Sequence, residues 1–336
     1  MFRRLTETLV ATAFSVLALG ALPAGAECFG MNILDLMPAA ERAEIVAAAE
    51  AVPFPNGNYW RAERDGQQIT LIGTYHLDDP RHGATLVRFG PEIAAAAALL
   101  VEAGPEEKKA LIDRMARDPS ILTITSGPTL LETLPKETWD RLVKATTARG
   151  IPGFMAAKFR PWYITVLLSI PPCAMEDLKD PKGLDGQLID SALAANVPVR
   201  ALEPYDTVFK VFGMMSDAEQ IEMIEQTLAL EDQANDYSVT LADTYFAGEN
   251  RLMWELMRYQ SYAMPGYTHE QVDADMAKLE EALMISRNRA WIPVIEEAAA
   301  QGPVVAAFGA LHLSGEDGVL NLLAKDGWTV TPLALP

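Results

Sequence analysis

Two short apolar runs, residues 68–72 and 304–308, are bounded by turn residues and close on the same pattern, Gly73-Thr74-Tyr75-His76-Leu77 and Gly309-Ala310-Leu311-His312-Leu313. Runs of this length, rich in β-branched or small residues, predict buried strands. Each then ends near a glycine and delivers an imidazole into the following loop. A third run, 98–101, ends at Glu102-Ala103-Gly104 and puts a carboxylate at the equivalent place. Further strands are expected at 58–64, joined to 68–72 through the hairpin turn Asp65-Gly66, and at 198–202 and 328–333. Helical spacing of apolar residues marks 39–51, 106–117, 136–149, 184–195, 217–234 and a long segment 272–300. Strands interleaved with helices predict an α/β fold with a mixed central β-sheet flanked by helices and a helix-rich middle insertion. Ligands in such folds gather at the carboxyl ends of the strands, where His76, Glu102 and His312 fall.

The N-terminus changes the picture. Arg3 and Arg4 precede an apolar stretch from Leu9 to Leu22, and Ala24-Gly25-Ala26 offers a small-x-small cleavage site, so residues 1–26 read as a secretory signal peptide cleaved near Ala26. Residues 27–336 then form one domain that is periplasmic or secreted; no linker, low-complexity run or solenoid period divides them. The most apolar later stretch, 161–174, is short and carries Pro171-Pro172, so no integral membrane segment is expected in the mature chain. The full chain carries a net charge of −19, and loss of Arg3, Arg4 and Glu7 takes it to −20, which excludes nucleic acid as an electrostatic partner. The two cysteines, Cys28 and Cys173, are expected to form one disulfide in an oxidising compartment, the alternative being two buried thiols.

Half of the four histidines lie in the two Gly-x-x-His motifs. Two neutral imidazoles and a carboxylate suit a divalent ion with positions open to water, a recipe for hydrolysis; Glu102 as a solvated acid opening a loop is the plainer alternative. Ser314-Gly315-Glu316-Asp317 looks like a capping box opening a helix after His312. His82 and His269 sit in polar contexts and are expected on the surface, and the Met, Trp and Tyr cluster at 253–267 is expected in the core. There is no phosphate loop, His-Glu-x-x-His helix or Gly-x-Ser-x-Gly elbow, which removes support for nucleotide-binding and serine-hydrolase classes.

With Leu100-Val101-Glu102-Ala103-Gly104-Pro105, Phe159-Arg160-Pro161-Trp162, Lys182-Gly183-Leu184-Asp185, Ala201-Leu202-Glu203 and Arg287-Asn288 between the two histidine motifs, nearly all of the mature chain resembles the TraB/GumN family, which also contains the Tiki proteins. The resemblance implies a metal-dependent, metalloprotease-like hydrolase with manganese or cobalt favoured and zinc possible. It implies His76 and His312 as ligands, Glu102 as ligand or general base, and Arg287 and Asn288 as groups that orient substrate or stabilise charge. Asp185 is either an acid of the site or a carboxylate favoured by the helix dipole. The substrate class that follows is a peptide or small amide or ester. A non-catalytic periplasmic binding protein on the same scaffold, and a metal-free His76/Glu102 hydrolase, are the alternatives.

Overall fold

The structure, a computed structural model, describes residues 28–175 and 183–335; the expected signal peptide and Lys182 lie outside the described residues. Six strands, β1 (Tyr59–Arg64), β2 (Gln67–Thr74), β3 (Ala98–Val101), β4 (Val199–Ala201), β5 (Val304–Gly309) and β6 (Thr329–Pro332), form one sheet in the order β4-β3-β5-β2-β1-β6. The run β4-β3-β5-β2 is parallel, whereas β1 pairs antiparallel with both β2 and β6. The fold is therefore α/β with a mixed sheet. The β1–β2 hairpin turns through Asp65 (φ 51°) and Gly66 (φ 79°), the left-handed pair that such a two-residue turn requires.

Alternation along the parallel strands feeds two cores. Leu71, Leu100, Ala306 and Phe308 face Trp291, Ile292 and Ile295 of the helix Ser286–Ala299 and Leu320 and Leu323 of the helix Val319–Lys325. Ile72, Leu99, Val305 and Ala307 face Phe89 and Ile93 of the helix His82–Ala95 and Leu184 and Leu188 of the helix Leu184–Ala194. Burying each such large side chain contributes about 1.5–3 kcal/mol, which holds both helical layers on the sheet. The middle of the chain builds a separate helical core from Leu130, Leu142, Ile164, Ile224 and Leu228, the expected insertion.

Four expectations need correction. The segment predicted as one helix over 272–300 is two helices, His269–Glu280 and Ser286–Ala299, joined by a π-helical turn at Glu281–Ile285. The segment 217–234 ends its helix at Ala229 and turns at Glu231, whose carboxylate is drawn inward by the buried Arg149 (2.6 Å), before a new helix, Ala234–Ala247. Ser314 does not open a helix, because Gly315 adopts φ 103°; the helix begins at Val319 with Gly318 as its N-cap. His82 is buried rather than on the surface: its Nε2 meets the Leu77 carbonyl at 3.0 Å and its ring packs on Tyr75, Tyr245 and Phe246. Its position at the start of a helix whose inner face joins the second core draws it in. His269 is exposed, as expected. Cys28 and Cys173 are bonded, tying the first described residue to the helical insertion. No described helix is long and apolar enough to cross a membrane.

Candidate active site at the carboxyl ends of four strands

Parallel register brings the motifs together. Thr74 of β2 lies opposite Gly309 of β5, Val101 of β3 opposite Ala307 of β5, and Val101 opposite Ala201 of β4. The four neighbouring strands thus finish side by side and release, in spatial order, Glu203, Glu102, the Gly309–His312 turn and His76. Helix Ser286–Ala299 crosses the same end and supplies Arg287 and Asn288.

Gly309 marks the focus. A Cβ added there would lie 3.2 Å from His76 Nε2, 3.3 Å from Glu102 Oε1 and 3.6 Å from His312 Cδ2, so those atoms of the two imidazoles are at most 6.8 Å apart. Only a residue without a side chain leaves this space open. The three side chains expected to converge do so.

Each is fixed by a partner. Asp185, in the first turn of its helix, accepts the Thr74 hydroxyl (2.6 Å) on one oxygen and the His76 Nδ1–H (2.7 Å) on the other, leaving Nε2 free toward Gly309. The His76 side chain is 64% exposed, so the dyad stands at the mouth of the site. The Asp185 carboxylate, joined by Glu102 and opposed by the Arg287 charge, holds His76 up at about 9, well above an ordinary imidazole. Glu102 accepts the Gly309 N–H (2.7 Å) on Oε1 and Arg287 Nη2 (2.6 Å) on Oε2. Burial alone would raise its pKa, but His312 when protonated, His76, Arg287 and the Gly309 N–H outweigh that and hold it at about 2.

Arg287 is the hub. Its Nε and Nη2 bind Glu203 (2.8 and 2.9 Å), Nη2 also binds Glu102, and Nη1 donates to the Leu283 carbonyl (2.9 Å) and to His312 Nε2 (3.2 Å). A guanidinium can only donate, so His312 Nε2 must accept, and Nδ1–H must donate to Asn288 Oδ1 (2.6 Å). The neutral ring this requires agrees with burial, which pushes His312 down to about 3. Asn288 is itself buried, with its amide donating to the Asp317 carbonyl (2.9 Å), so it positions the imidazole instead of facing the opening. Glu203 has no role in the sequence reading, although it ends a strand beside β3 as Glu102 ends β3. That shared placement is the signal that could have found it. Burial pushes its pKa up, against the pull of Arg287.

A metal ion meets a mixed set. His76, with a carboxylate on Nδ1 and Nε2 free, has the arrangement of a metal-binding histidine. His312 does not, because its only remaining nitrogen faces a guanidinium. Among the described residues no three His, Cys, Asp or Glu side chains are grouped to hold an ion. As arranged, then, the residues do not fit a three-ligand metal centre, and the cation at the heart of the cluster is Arg287.

Fold and site together define an α/β protein with a histidine, carboxylate and arginine cluster at the ends of parallel strands. The chain belongs to the TraB/PrgY/gumN family, whose family model matches residues 58–332 and so spans both histidine motifs and everything between them. Comparison with curated proteins gives no match.

Proposed function

We propose that this protein is an exported hydrolase that cleaves an amide or ester bond in a peptide or small molecule, with the bond placed beside Gly309. The observation that carries the reading is the convergence of a free His76 Nε2, the Glu102 carboxylate and the His312 ring on one open point, with Arg287 bound to Glu102 and His312 behind it. Export is supported by the leader-like N-terminus and by the disulfide.

The chemistry follows from the protonation states. Arg287, whose five N–H donors are held by Glu203, Glu102, the Leu283 carbonyl and His312, contributes its fixed positive charge to the negative charge that grows on a carbonyl oxygen. The neutral form of His76, which grows as pH rises toward about 9, is oriented by Asp185 to take the proton of an attacking water on Nε2 and return it to the departing nitrogen or oxygen. Glu102 is too acidic to serve well as a base; it holds Arg287 and the Gly309 N–H in place. Asn288 keeps the His312 ring neutral on the face that receives Arg287.

A second, metal-dependent reading, with manganese, cobalt or zinc held by His76 and Glu102, rests on the Asp185 partner of His76. It requires Arg287 to leave His312 Nε2 before His312 joins. One experiment separates the readings: the purified chain is screened against a peptide library and chromogenic esters, with a chelator and with each metal added. Cleavage that survives chelation supports the acid/base route. Cleavage abolished by chelation and restored by metal supports the second. No cleavage under any condition overturns both in favour of a non-catalytic binding protein.

A further inference from the structure

The cluster beside Gly309 has an apolar neighbour. A cavity of about 620 Å³ opens between the helices Thr207–Gly213, Asp217–Ala229 and His269–Glu280 and the π-helical turn Glu281–Ile285. Its size is that of a ligand pocket rather than a packing defect. Phe212, Met215, Met223, Met264 and Met276 line it, so much of the wall is unbranched, polarisable methionine that reshapes around varied apolar groups. The 253–267 cluster, expected in the core, is divided accordingly: Met253 and Trp254 are buried, whereas Met264 and Tyr267 face this cavity.

Two observations say what would occupy it. The wall also carries Glu219, Glu222, Asp275 and Glu281 against one cation, Lys278, so its field favours a positively charged ligand. One residue also links the cavity wall to the site. Leu283 lines the cavity and accepts Arg287 Nη1 through its carbonyl, and the helix carrying Val211 and Phe212 starts four residues after Glu203, the other partner of Arg287. Single π-helical turns of the kind at Glu281–Ile285 are frequent at functional sites, and this one forms cavity wall and arginine support together.

We propose that this cavity binds the apolar side chains of a peptide that carries positive charge, and that it thereby sets the substrate class of the neighbouring cluster. The inference rests on the hydrolase reading for its consequence, but binding is measured without turnover. Isothermal titration of the purified chain with the peptide amide Leu-Phe-Leu-Lys-Lys, compared with Leu-Phe-Leu-Glu-Glu, reads it. The lysine peptide should bind at least about fivefold more tightly than the glutamate peptide. Met223→Trp, which fills the cavity, should weaken binding by about tenfold or more while sparing hydrolysis of a small acetyl ester. Asp275→Lys with Glu281→Lys alters only exposed positions, so it tests the charge even where the tryptophan variant does not fold, and it should erase or reverse the preference. Absence of binding, binding indifferent to these variants, preference for the acidic peptide, or a dimer that buries this face would each overturn the proposal. Peptide binding without cleavage of any substrate would leave the cavity standing and remove the hydrolase; ester cleavage without peptide binding would do the reverse.

Discussion

Arg287 and the two histidines show how much one position decides. His76 and His312 occupy matching places in sequence, yet the structure gives them opposite charge states, because one meets a carboxylate near solvent and the other is buried against an arginine. We predict that nitrogen-15 NMR will show His76 titrating near 9 and His312 neutral down to about 3. A raised pKa means that the His76–Asp185 pair stabilises the fold fully below the ordinary value of 6.5 and that this contribution is lost as pH rises through about 9. Both rings titrating near 6.5 would contradict the network. The imidazoles and Glu102 were legible in sequence because each closes an apolar run. Glu203 received no role, since its strand is only three residues long and it lies two residues past the strand's end where Glu102 lies one past its own. Replacing it by glutamine leaves Arg287 with a neutral partner in a mostly buried place, so Glu203→Gln should cost about 1–3 kcal/mol in denaturant unfolding and lower activity by misplacing the guanidinium.

Elements place these residues through register and close approach. Strand order cannot be read from apolar runs, yet it makes the motifs meet: β3, β5 and β2 are far apart in the chain and adjacent in the sheet. The π-helical turn was hidden because 272–300 keeps helical spacing throughout, and one extra residue in a turn leaves little mark on it. Two glycines are tested directly. A Cβ on Gly183, the N-cap of the helix carrying Asp185, would lie 2.2 Å from the His76 carbonyl oxygen, backbone against backbone. Gly183→Ala should therefore force the two segments apart and destabilise the protein by about 1–3 kcal/mol, seen as a lower melting temperature. Gly309→Ala meets only side-chain ends at 3.2 Å or more, and its φ of −48° suits alanine. It should melt like the parent while losing activity by about tenfold or more, since it occupies the space reserved for the reacting bond. Equal effects of the two changes on stability would argue against the packing described.

At the scale of the whole molecule, the disulfide closes a separation of 145 residues between the N-terminal segment and the helical insertion. Its pairing was legible because two cysteines admit one intramolecular bridge, whereas the insertion's separate core was visible only as a surplus of helices. Cys28→Ser should lower unfolding free energy by about 2–4 kcal/mol without removing activity. The central claim is that the cluster around Gly309 performs hydrolysis with His76 as its proton carrier. The most direct test is the rate of peptide or ester cleavage by the parent chain and by His76→Ala, in chelator, with melting curves recorded on the same samples. The account predicts cleavage by the parent, a fall of about 10²- to 10⁴-fold in the variant, and a melting temperature at pH 7 lowered only by loss of the His76–Asp185 pair. Cleavage by His76→Ala at the parental rate would contradict it.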